Sequence, residues 1–142
     1  MDLGLNARVV LVTGAGGGVG PTLARAFAVE GASVALHVRD AAVVGRAHEM
    51  AESIEAGGGR ASVVGADLRS TDAIEAMMST VADELGTVEI LVNATSAFRA
   101  EALEAISDES WTSMMDDMLG APPGQWTPPL QDLRRALVRP QA

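Results

Sequence analysis

Eight consecutive positions, Thr13-Gly14-Ala15-Gly16-Gly17-Gly18-Val19-Gly20, hold five glycines between an apolar run and a segment that opens with Pro21. Glycine leaves backbone N–H groups bare, and a helix starting after such a loop adds the positive end of its dipole. Together they suit an anion, above all the pyrophosphate of a dinucleotide. The common fingerprint G-x-G-x-x-G/A fails in every register. From Gly14 it falls on Val19, from Gly16 on Pro21, and from Gly18 on Leu23. The spacing that fits is T-G-x-x-x-G-x-G, through Thr13, Gly14, Gly18 and Gly20. A second spacing, T-G-x-x-G-x-x-G, passes through Gly17.

Other reactive groups are sparse. There is no cysteine, so disulfides, thiolate metal sites and a cysteine nucleophile are excluded. There is no tyrosine, and all ten cations are arginine, so no lysine is present. His37 lies in a strand pattern and His48 in a helix pattern; neither has a nucleophile in view, and no catalytic role is read for them. Ser96 and Ser113 lack a base beside them. Asp116-Asp117 has no neighbouring ligand spacing and reads as a solvated face, so no metal is expected.

The elements that must position the glycine loop follow from periodicity. Arg8-Val9-Val10-Leu11-Val12 reads as a strand buried on both faces of a parallel sheet. Pro21 suits a first helical turn, with Leu23, Ala26 and Phe27 on one face and Gly31 as the stop. Ser33 to Val38 is the next strand. Val43, Ala47, Met50 and Ile54 mark an amphipathic helix ended by Gly57-Gly58-Gly59. Ala61 to Val64 is a third strand. Ser70 or Thr71 caps a helix with the stripe Ile74, Met77, Met78, Val81 and Leu85, closed by Gly86. Glu89 to Asn93 is the fourth strand. The alternation βαβαβαβ predicts an α/β fold with parallel strands and right-handed crossover helices.

Past that point, a helix with Trp111, Met114, Met115 and Met118 on one side is expected. Five of the six prolines then fall between Pro122 and Pro140, which forbids a helix or central strand over most of that stretch. Residues 121–142 read as a Pro/Arg-rich irregular tail, with a short helix over Gln131 to Arg139 and Leu130, Leu133 and Leu137 turned inward.

The loop spacing and the fourth strand together resemble the classical short-chain dehydrogenase/reductase family over about residues 5–120. That strand normally ends Asn-Asn-Ala-Gly, whereas here it reads Asn93-Ala94-Thr95-Ser96. The resemblance implies a partial Rossmann, doubly wound fold over residues 1–120, with four parallel strands in order 3-2-1-4. It also implies a cofactor site formed by Thr13, Gly14, Gly17, Gly18, Val19 and Gly20. Asp67-Leu68 matches the family's acidic residue that bonds the adenine amino group, and Asn93-Ala94 lies where the chain passes the adenosine ribose.

In NAD-selective members an acidic residue ends the second strand. The matching position here is Val38, followed by Arg39, which can pair with a 2′-phosphate. The expected cofactor is therefore NADP rather than NAD. The family's chemistry uses a tyrosine with a lysine four residues later, a serine and an asparagine. With no tyrosine and no lysine that dyad is missing, and Met118 stands at the asparagine position.

The expected protein is thus the NADP(H)-binding portion of such an oxidoreductase, truncated by a shortened or frameshifted reading frame and inactive alone. The alternative is a non-enzymatic dinucleotide-binding or dimerising pseudo-subunit; another Rossmann enzyme such as a methyltransferase fits the loop less well. An uncovered fourth-strand edge predicts marginal stability, with self-association or pairing with an intact relative. A net charge of −9 opposes nucleic-acid and anionic membrane partners. No run of about 18 apolar residues suggests a membrane span. The N-terminus lacks a signal-peptide pattern, and the expected location is cytoplasmic.

Overall fold

The computed structural model describes residues 3–68, 70–95 and 107. They form β1 (Val9–Thr13), α1 (Gly20–Val29), β2 (Ser33–Val38), α2 (Ala41–Ala56), β3 (Arg60–Gly65), α3 (Thr71–Glu84) and β4 (Ile90–Asn93). The four strands make one parallel sheet in the order β3-β2-β1-β4, as the sequence pattern and the resemblance imply. Val10 pairs with Val34 on one side and with Ile90 on the other, so β1 is central. The helix expected around Trp111, the Asp116-Asp117 pair, Met118, Ser96, Ser113 and the tail from 121 lie outside the described residues.

Every residue of β1 and β2 is buried, because helices cover both faces of the sheet. Strand alternation divides the core into two layers. On one face Val9, Leu11, Ala35 and Val64 pack with Ile74, Met77 and Val81 of α3. On the other, Val10, Val12, Val34 and Leu36 pack with Ala24 of α1 and Ala51 of α2. Each strand therefore serves two cores with successive side chains.

Helix starts are set by local chemistry. The Asp40 carboxylate accepts from the Ala42 N–H at 2.8 Å and starts α2. For α3 the cap is Ser70, whose hydroxyl accepts from the Ala73 N–H at 3.3 Å, with Thr71 the first helical residue. In α1 the buried residues are Gly20 and Ala24, with Phe27 and Ala28 partly buried behind them, whereas Ala26 is exposed. This corrects the face expected from Leu23, Ala26 and Phe27. Small residues at Gly20 and Ala24 bring α1 close to the loop and sheet, which rotates the helix toward them.

Ion pairs and polar contacts sit at the strand starts. Arg8 pairs with Glu89 across the entry to β1 and β4. Ser62 donates to the Glu84 carboxylate, and Arg60 donates to the Glu84 carbonyl at 2.8 Å, fastening the end of α3 to β3. The opposite edge of the sheet, where all four strands end, holds the loops considered next.

Candidate functional site

Parallel strands deliver their C-terminal ends to one edge, and in an open α/β sheet that edge is where ligands bind. Thr13, Val38, Gly65 and Asn93 end the four strands here, so the residues singled out from sequence converge on one rim. The spacing of the glycine loop acquires a separate physical reason at almost every position.

Thr13 is fully buried, and its hydroxyl donates to Asn93 Oδ1 at 2.7 Å, tying the end of β1 to the end of β4. Its oxygen also receives the Ala94 N–H at 3.2 Å, while Thr95 donates to Asn93 Oδ1 at 2.9 Å. Gly14 follows with φ +71°, and a Cβ there would lie 2.7 Å from the Ala94 carbonyl oxygen. Both backbone conformation and space demand glycine. At Gly20 an added Cβ would lie 2.4 Å from the Gly14 carbonyl oxygen, so the first turn of α1 rests directly on the head of the loop.

Gly16 lies outside both motif spacings, yet a Cβ there would meet Val43 Cγ2 at 2.4 Å and Val38 Cγ1 at 3.1 Å. It is the point where the loop packs on the start of α2. Gly17 and Gly18 differ: both are exposed, and a Cβ at either would meet nothing within 4 Å. Gly18 has φ +60°, which accounts for it, whereas Gly17 has no positive φ and no crowding. Val19 is 63% exposed and stands at the N-cap of α1 without a side-chain cap, and no acidic residue occupies the first turn of that helix. The positive end of α1 therefore opens beside bare backbone.

At the end of β2, Val38 is only 2% exposed and packs beside Gly16, while Arg39 next to it is exposed. The Val38 carbonyl accepts from the Ala66 N–H at 3.3 Å, which brings the turn after β3 alongside. Asp67 in that turn is half-buried, and its carbonyl accepts from the Ser70 N–H at 3.0 Å. Leu68 packs against the core layer under α3. The rim thus places the glycine loop and the Val38-Arg39 and Asp67-Leu68 corners side by side, with Asn93-Ala94 closing the other flank.

One residue of this rim was given no role from sequence. His37 is fully buried; its Nδ1 accepts the Gly14 N–H at 3.3 Å and its Nε2–H donates to the Ala66 carbonyl at 2.9 Å. Its own carbonyl accepts the Ala15 N–H at 2.8 Å. Burial lowers its pKa, with Arg39 adding to that effect against the Ala66 hydrogen bond. The available signal was a histidine inside an otherwise apolar, doubly covered strand, where both ring nitrogens must find partners.

The short chain dehydrogenase family model matches residues 8–122, and the chain belongs to that family. "Probable galactose dehydrogenase" of Rhizobium meliloti is 42% identical over 108 residues, covering 75% of this chain and 41% of the relative. L-sorbose reductase from Gluconobacter frateurii, solved with NADPH and L-sorbose, superposes with a TM-score of 0.74 at 29% identity, covering 97% of this chain and 49% of the other. A short chain dehydrogenase from Burkholderia cenocepacia, solved with NADP, gives a TM-score of 0.75 at 28% identity, covering 95% and 51%. The chain spans about half the length of these relatives or less. Among the described residues no helix is long and apolar enough to cross a membrane.

Proposed function

We propose that this member of the short-chain dehydrogenase family binds NADP(H) through its adenosine and phosphate half, for hydride transfer between a carbonyl and an alcohol. The observation that carries the reading is Gly17. Neither backbone conformation nor packing requires glycine there, yet the position is exposed beside the uncapped start of α1. A bare backbone at that point serves a ligand that must approach closely, and a pyrophosphate on the helix N-terminus is such a ligand. NADPH and NADP in solved relatives of the same fold support the cofactor class.

In this reading the Gly17, Gly18 and Val19 amides hold the pyrophosphate, and Thr13, Gly14 and Gly20 set the shape of the loop. Arg39 takes the 2′-phosphate, since Val38 offers no carboxylate to repel it or to hold the ribose hydroxyls. Asp67 and Leu68 border the adenine, and Asn93 and Ala94 the ribose. A charge-assisted pair of this kind is worth about 1.5–3 kcal/mol, enough to prefer NADP over NAD by roughly tenfold or more.

The cofactor supplies the hydride; the acid/base group that moves the accompanying proton is a tyrosine beside a lysine in the family, and this chain has neither residue. These 142 residues are therefore read as a binding half without turnover of their own. Calorimetric titration with NADPH and with NADH is the test. Micromolar NADPH binding with weaker NADH binding supports the proposal, whereas no heat with either dinucleotide, or carbonyl reduction by the chain alone, contradicts it.

A further inference from the structure

We infer that His37 is a positioning residue of the dinucleotide site, whose Nε2–H tautomer locks the head of the glycine loop to the turn that carries Asp67 and Leu68. The inference rests on reading that rim as a dinucleotide site, and it adds the group that sets the rim's shape.

The tautomer follows from the partners. Gly14 presents an N–H at 3.3 Å, so Nδ1 must be the unprotonated nitrogen. Ala66 presents a carbonyl oxygen at 2.9 Å, so Nε2 must carry the proton. One imidazole thereby spans from the end of β1 to the end of β3, passing over β2. The His37 carbonyl holds the next loop amide, Ala15, at 2.8 Å, so two successive amides of the loop are fixed by one residue. Gly14 is also the position with φ +71° pressed against Ala94, and the first turn of α1 rests on its carbonyl. A shift of the Gly14 amide would therefore move the helix start that faces the pyrophosphate.

Protonating Nδ1 would set two N–H groups against each other at Gly14 and release the loop. β3 places Val64 in register with His37, and Val64 belongs to the core layer that α3 completes with Ile74, Met77 and Val81. The charged groups of α3, Asp72, Glu75, Asp83 and Glu84, are exposed. Arg39 lies close enough to oppose protonation, and Asp67 follows the Ala66 partner in the chain. Burial also favours the neutral ring.

Two variants separate the contacts. His37→Asn keeps an acceptor near the Nδ1 position, while His37→Leu fills similar space with no polar atom. At pH 7.5 the full chain carrying His37→Asn is expected to bind NADPH within about threefold of wild type, and His37→Leu about tenfold more weakly. As pH falls below 6.5 and through the lowered folded pKa of His37, wild type should lose more affinity than His37→Asn; the 2′-phosphate titrates in both, so the difference belongs to His37. Imidazole ¹⁵N shifts should report the Nε2–H tautomer, and its titration should shift the Gly14 amide resonance.

Parallel pH profiles for wild type and His37→Asn, a folded His37→Leu that binds as wild type does, or ¹⁵N shifts of an Nδ1–H ring would overturn the inference. Should His37→Leu fail to fold, the asparagine profile and the nitrogen shifts still decide. A wild-type chain that binds no dinucleotide defeats the site reading instead, while the nitrogen shifts and the Gly14 response continue to read the loop lock on their own.

Discussion

The hydroxyl of Thr13 and the side-chain carbonyl of Asn93 meet at 2.7 Å, joining β1 to β4 at the rim where the candidate site lies. Removing that hydroxyl without changing shape should cost the bond to Asn93 and loosen the Ala94 N–H, which the Thr13 backbone carbonyl also accepts. Thr13→Val is expected to destabilise the fold by about 1 kcal/mol, and Thr13→Ser by less, measured as shifts of the urea midpoint at constant slope. Equal losses for both substitutions would assign the cost to packing.

Two glycines of the same loop should respond in opposite ways. Gly14→Ala forces a side chain into φ +71° and against Ala94, and it should destabilise by about 2–4 kcal/mol. Gly17→Ala meets open space and should leave stability unchanged or raise it by about 0.5 kcal/mol, while weakening NADPH binding at least tenfold. Thermal melts and calorimetry on the two variants check this pair, and unchanged NADPH affinity in Gly17→Ala would count against a ligand role for that residue.

The start of α3 gives a test of local structure. Ser70→Ala removes the acceptor for the Ala73 N–H and should cost about 1 kcal/mol, whereas Thr71→Ala should cost less. Denaturant midpoints that rank the two the other way would place the cap at Thr71.

Stability should also depend on pH through His37. Its folded pKa is lowered from 6.5, so the unfolded chain binds more protons in the window between the folded value and 6.5. The contribution is fully present above pH 6.5 and is lost as pH falls through that window. Wild type should therefore lose stability between pH 7 and the onset of carboxylate titration, and His37→Asn should lose less. Unfolding free energies of the two proteins measured side by side across that range give the comparison.

How far the sequence could be read depended on which force governed each position. β1 and β2 were legible because a strand covered on both faces is apolar at most of its residues, and the helices over them because their stripes recur with the helical period. The rotation of α1 was not: Ala24 and Ala26 are chemically the same, and only the close approach permitted by Gly20 decides which is buried. Within the loop, motif spacing picked out Gly14, Gly18 and Gly20 but could not show that Gly16 packs on Val43 while Gly17 lies open. His37 escaped because its partners are backbone atoms of Gly14 and Ala66, distant in sequence and without any side-chain signature. Arg39 and Asp67 are proposed as cofactor contacts through family resemblance alone, since an exposed arginine and a turn carboxylate are ordinary features taken singly.

An adenosine-phosphate cradle at the rim of the sheet would show itself in an amide chemical-shift map of the full chain titrated with adenosine 2′,5′-bisphosphate. The largest shifts are predicted at Gly17, Gly18, Val19 and Arg39, with smaller ones at Asp67 and Leu68, and those at Arg39 should shrink when 5′-ADP replaces the probe. Saturating ligand that leaves these amides in place, or shifts confined to other parts of the chain, would contradict a dinucleotide site at this rim.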